Sequence, residues 1–165
     1  MKKISIKDIV KYASVAAIYV VLTWILAPIS FGPIQFRISE VLVLLCFFDK
    51  KYFIPLTLGC LISNLMSPMV LDIAFGTIAT MISLFFISNS KNLFVASLFP
   101  VFFNGLIIAA EISIIEGIFD LNVFLFNMVT IAVGEFLCVS VIGVILFTLL
   151  RKNEGFINLI QKWNN

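Results

Sequence analysis

The chain divides into apolar runs separated by short polar breaks, and the longest runs reach the length a bilayer requires. About 20 residues of helix cross the hydrocarbon layer. Six candidate helices follow, over 9–28, 36–48, 52–66, 72–89, 93–114 and 124–150. The second and third are short, which suits little tilt or a locally thinner bilayer. The breaks carry turn and charge signals: Pro28 and Gly32-Pro33, Asp49-Lys50-Lys51, Ser67-Pro68, Ser88 to Asn92, and Gly117 to Asn122. Composition agrees, with 62% hydrophobic and 12% charged residues and 18 Phe. Soluble domains lie near 45–50% apolar and about 25% charged. A soluble domain this small has too little interior for that apolar surface, whereas in lipid the outside is apolar too. The expected fold is an all-α, polytopic membrane bundle forming one domain over 1–165, with no internal repeat or linker.

Charge orients the bundle, because cytoplasmic loops collect Lys and Arg. With six spans and both termini inside, ten of the eleven basic residues fall on one side. They are Lys2, Lys3, Lys7, Lys11, Lys50, Lys51, Lys91, Arg151, Lys152 and Lys162. Only Arg37 falls outside. Four spans, with 36–66 as one re-entrant hairpin, would break this alternation. The N-terminal lysines before Ile9 to Ala27 mimic a signal peptide. That run is longer than a usual apolar core and no clear cleavage site follows, so a retained first helix is expected.

Several chemistries are disfavoured. The chain has no His, which removes the commonest general base and metal ligand. Cys46, Cys60 and Cys138 each lie in an apolar run without a CxxC pair, arguing against a disulfide framework or zinc site. No GxxxxGK[ST] loop is present, so any ATP use belongs to partner subunits. No cofactor, metal or nucleic-acid partner is expected for this chain.

Ionisable residues inside a span cost about 2.5–3.5 kcal/mol on insertion scales and usually face the bundle interior. The outer half holds several, and with the neighbouring amides it carries polar groups from five helices. Arg37 and Glu40 are three apart on the second helix, on one face. Asn64 closes the third and Asp72 opens the fourth. Asn104 and Glu111 share a face of the fifth. Asn127, Thr130 and Glu135 lie on the sixth. Each has a plainer reading: an interfacial ion pair for Arg37–Glu40, an N-cap for Asp72, helix-linking amides for Asn64 and Asn104. Glu116 and Asp120 read as loop residues. Glu111 and Glu135 have no cation on their own helices and are the firmest candidates for ligand contact.

Such a pocket is anionic on balance, with Trp24, Phe31, Phe36 and Phe75 as candidate stacking faces. Carboxylates accept paired N–H bonds, as from a guanine-like edge. A planar, nitrogen-rich, neutral or cationic solute suits it, and a polyanion does not. On the inner half of the first helix, Ala13, Ala16 and Ala17 make a small-residue face that lets another helix approach closely. Internal packing is its plainer reading.

The stretches Gln35-Phe36-Arg37-Ile38-Ser39-Glu40, Leu58-Gly59-Cys60-Leu61-Ile62-Ser63-Asn64 and Asp72-x-x-x-Gly76-Thr77, with Ala13-x-x-x-Ala17, resemble the QueT family. These are S components of energy-coupling factor (ECF) transporters for queuosine precursors, and the resemblance covers essentially the whole chain. It implies a multi-pass protein of the bacterial cytoplasmic membrane that binds a 7-deazaguanine from outside. It implies association with a transmembrane coupling subunit and two cytoplasmic ATPases, which hydrolyse ATP and drive toppling and release. The Ala13/Ala17 face would meet the coupling subunit, and Pro28–Gln35 would form part of a lid. Glu40, Asp72, Glu111 and Glu135 all remain candidates for the guanine-like edge. An S component for another vitamin-like heterocycle is the nearest alternative. A stand-alone secondary transporter with Glu135 carrying protons is a second, though inverted repeats are not evident. A membrane enzyme is disfavoured by the missing His and metal motifs.

Overall fold

The computed structural model describes residues 6–32, 34–117 and 119–161. Lys2, Lys3, Pro33 and Lys162, which the sequence reading used, lie outside them. Among the described residues the chain is helical throughout, without a strand. Helix α1 covers Ile6–Ile25, and a helical turn, Ala27–Ser30, follows with a proline in its first turn. There the missing N–H has no intrahelical partner to lose. Helix α2 covers Ile38–Phe48. It is a 3-10 helix over Ile38–Leu44 and turns α-helical only over Leu45–Phe48. Helix α3 is Phe53–Asn64, α4 is Asp72–Asn89 and α5 is Leu93–Glu116. Helix α6, Leu121–Leu150, is π-helical over Phe136–Gly143. A last helix, α7, covers Glu154–Gln161.

Four of these, α1, α4, α5 and α6, are long and apolar enough to cross a membrane, and large apolar side chains cover the surface. The chain therefore reads as a multi-pass membrane protein. The segments expected over 36–48 and 52–66 are the shorter helices α2 and α3. A 3-10 helix rises about 2.0 Å per residue against 1.5 Å in an α-helix, so α2 reaches farther than its residue count suggests.

Capping chemistry accounts for boundaries that the apolar pattern misplaced. Helix α5 runs on to Glu116 and ends on Gly117, left-handed at φ 69°, whose N–H bonds the Ile114 carbonyl at 3.2 Å. Helix α6 starts at Leu121, before the expected 124, because the Asp120 carboxylate accepts from the Asn122 N–H at 2.7 Å and the Val123 N–H at 3.4 Å. Asp120 is thus an N-cap rather than a plain loop residue. Helix α7 was not expected: it is amphipathic, with no wholly apolar run to announce it.

Aromatic contacts tie one end of the bundle together. Tyr12 and Tyr52 meet edge to face at 5.9 Å, Phe48 stacks on Phe147 at 5.5 Å, and Phe147 meets Phe156 of α7 at 6.1 Å. Lys11 donates to the Ile160 carbonyl and Lys50 to Asn89, each at 2.8 Å. Helix α1 packs on α3 through Gly59, where an added Cβ would lie 3.1 Å from Tyr19 Cβ and 3.2 Å from the Ala16 carbonyl. Ala16 is half-buried at this crossing, whereas Ala13 and Ala17 are exposed on the other side of α1.

Gly59→Val should therefore push α1 off α3 and lower stability by about 1–3 kcal/mol. Ala13→Val, on the open side, should change it by less than about 0.5 kcal/mol. Thermal unfolding of the purified protein in detergent checks both.

Candidate functional site

Away from the aromatic end, the helices enclose polar residues. Arg37, Glu40, Asn64, Asp72, Asn104, Glu111 and Glu135 are all buried. They come from α3, α4, α5, α6 and the start of α2.

The first part of the site surrounds Glu40. Its 3-10 turn puts Arg37 and Glu40 on one side, 3.9 Å apart. Glu40 Oε1 accepts a short hydrogen bond from the Tyr19 hydroxyl and a longer one, 3.4 Å, from Thr80. Thr23 and Ser39 share a bond of 2.6 Å beside it. Sequence reasoning passed over Tyr19, Thr23 and Thr80. The available signal was that Tyr19 and Thr23, four apart, share a face in the apolar part of the helix after Ser14, and they are the buried residues of α1. Arg37 is not merely an interfacial partner of Glu40. Its guanidinium lies 5.2 Å from the Phe31 ring centre and within electrostatic range of Asp72, Glu111 and Glu135.

The second part lies where α3 turns into α4. Asn64 Nδ2 donates to the Asp72 carbonyl at 3.0 Å, so its amide does link helices. Gly76 makes room: a Cβ there would meet Asn64 Nδ2 at 2.8 Å. Asp72 is not an N-cap, since Leu71 holds that position without a side-chain cap bond. Its Oδ2 instead accepts a short bond from the Ser67 hydroxyl. The Glu111 carboxyl on α5 faces that of Asp72.

The third part joins α5 to α6, with Asn104 Nδ2 donating to Glu135 Oε1 at 2.7 Å. The residue before Glu135 is Gly134, and the Ile34 carbonyl rests on its bare backbone. Gln35, buried, takes φ 48°, a left-handed conformation that is unfavourable for a side chain other than Gly or Asn. Ile34 is thereby pressed against α6 next to a site carboxylate.

Many polar atoms in this interior have no protein partner. They are Arg37 Nε and Nη2, Glu40 Oε2, Asn64 Oδ1, Asp72 Oδ1, Asn104 Oδ1, both Glu111 oxygens and Glu135 Oε2. Buried groups of this kind are normally satisfied, so the set has the character of a binding surface with donors and acceptors to spare. Not all candidates join it. Trp24 is 42% exposed and points out of the bundle. Asn127 is only half-buried, and Thr130 bonds back to the carbonyls of its own helix. Phe36 is half-buried against the apolar core and Phe75 is half-buried on α4. Phe31 meets a site residue, through Arg37.

Comparison with known proteins places the chain. Over 86 residues it is 50% identical to the queuosine precursor transporter QueT of Lactococcus lactis subsp. cremoris (strain MG1363). That alignment covers 51% of this chain and 51% of the relative, so the chain matches about half the length of that protein. No solved structure matches. A far longer match, over residues 9–152, is to the family described as QueT transporter, and the chain belongs to that family.

Proposed function

We propose that this protein is the substrate-capturing S component of an ATP-driven ECF importer for 7-deazaguanine queuosine precursors, queuine or queuosine. The observation that carries the reading is the enclosed set of unpartnered donors and acceptors from five helices, in a chain of the QueT transporter family. A guanine-like ring supplies the complementary N–H and C=O groups in one plane, and Arg37 and the carboxyls supply their partners. Asn64, Asn104 and Glu135 belong to the same buried polar set, with Phe31 against Arg37; Trp24, Phe36, Phe75 and Asn127 have secondary roles.

The protein acts as a transporter subunit, not an enzyme, and ATP is hydrolysed by separate ATPase subunits. In this reading six helices, α1 to α6, span the bacterial cytoplasmic membrane with both termini inside. The lysine-bearing aromatic end then faces the cytoplasm and the polar site faces out. The exposed Ala13/Ala17 side of α1 meets the transmembrane coupling subunit, where small side chains allow close helix approach. The segment Pro28–Gln35 covers the site as a lid, seated on Gly134.

The solitary protein should bind 7-deazaguanines in a calorimetric or thermal-shift screen and ignore thiamin, riboflavin and biotin. A screen in which no planar heterocycle binds sinks the reading. Glu135→Ala, which also strands Asn104, should weaken binding by about 1–3 kcal/mol. Ala13→Leu with Ala17→Leu should leave binding by the solitary protein intact and abolish uptake into vesicles holding the full ATP-driven complex. Proton-driven uptake by this chain alone would replace the S-component reading with a secondary transporter.

A further inference from the structure

Four acids line the site, and their commitments differ. Glu40 already accepts from Tyr19 and Thr80 and faces Arg37. Glu135 holds Asn104 through one oxygen. Glu111, by contrast, is fully buried with both oxygens unpartnered, and the neighbouring Asp72 keeps Oδ1 unpartnered. Their carboxyl groups face each other. Carboxyls that meet away from water need hydrogens between them, and here both Glu111 oxygens and Asp72 Oδ1 have no hydrogen-bond partner. The independent observation beside them is Arg37. It is 4% exposed, its guanidinium is held against Phe31, and Nε and Nη2 are unpartnered donors within electrostatic range of both Asp72 and Glu111.

We infer that the Asp72–Glu111 pair reads the 2-amino edge of the ring while Arg37 donates to the adjacent ring carbonyl. This rests on the reading of the chain as a 7-deazaguanine-binding protein. A 2-amino-4-pyrimidinone edge presents a carbonyl, a ring N–H and an amine in one row, with three N–H hydrogens in all. Glu111 accepts the ring N–H and one amine hydrogen as a fork, the arrangement a carboxylate favours. Asp72 Oδ1 accepts the second amine hydrogen, with Ser67 fixing the other oxygen. The three N–H hydrogens of the edge then match the three unpartnered carboxyl oxygens one to one. Glu40 Oε2 and Glu135 Oε2 stay available for the substituent carried on the five-membered ring. Sequence alone left four acids equivalent; the hydrogen-bond pattern separates them.

The consequence is a specificity rule that depends on the 2-amine. A site built to bond an N–H rejects an analogue lacking it far more strongly than an apolar pocket rejects a shape change. The probes are 7-deazaguanine and 7-deazahypoxanthine, which lacks the amine, with the dissociation constant of each measured by calorimetry on the full chain in detergent. The unaltered protein should prefer 7-deazaguanine by about 100-fold or more. Glu111→Gln and Asp72→Asn should each cut that ratio to about tenfold or less, because an amide turns N–H groups toward the ligand. Glu135→Gln should weaken both ligands alike and keep the ratio. A ratio near one in the unaltered protein overturns the assignment without any variant, as does a full ratio in folded Glu111→Gln and Asp72→Asn. A ratio lost in Glu135→Gln alone moves the edge to α6 and also overturns it. If the unaltered protein binds neither ligand, the proposed function itself falls, and the assignment with it.

Discussion

One buried cation, Arg37, sets the electrostatics of the interior. Removing a guanidinium from water costs several kcal/mol unless charges and hydrogen bonds compensate. Compensation here is distributed: Glu40 at 3.9 Å, the Phe31 face at 5.2 Å, and the more distant carboxyls of α4, α5 and α6. None of these is a tight bidentate pair. The arrangement holds Arg37 in place without saturating it, so its remaining N–H groups stay available. A pocket lined only with carboxyls would repel itself, and a pocket with a fully paired arginine would have nothing left to offer.

The elements that deliver this cation and its partners are the irregular ones. Arg37 and Glu40 come from the 3-10 start of α2, and Glu135 stands at the entry to the π-helical part of α6. Those two stretches pack on each other, with Leu44 Cδ1 3.0 Å from where a Gly143 side chain would begin. Departures from the α-helix are common at functional sites, and here both occur beside the polar interior.

How much of this the sequence carried follows from which forces are local. Apolar run length located α4 over 72–89 and placed α1, α5 and α6 to within about three residues at each end, because bilayer thickness imposes that length directly. The buried set of Arg37, Glu40, Asn64, Asp72, Asn104, Glu111 and Glu135 was likewise legible, since a polar group in an apolar run has few places to go. The ends of α5 and α6 were not, because Gly117 and Asp120 act through backbone geometry that hydropathy does not see. Trp24 illustrates the opposite error: an aromatic near a site in sequence sits on the outward side of its helix. The pairing of Asn104 with Glu135 and of Asp72 with Glu111 depended on helix rotations that one sequence does not specify.

The π-helical stretch explains one such rotation. Glu135 and Phe147 are both buried, one among polar groups and one sealing the aromatic end. At about 100° per residue, a uniform α-helix would set positions twelve apart at roughly 120° to each other. The wider π turn, with its i→i+5 bonds, advances less per residue and so reduces that offset. Phe136–Gly143 thus works as a phase corrector between two halves of α6 that each bury a side chain, one at the polar site and one at the aromatic end.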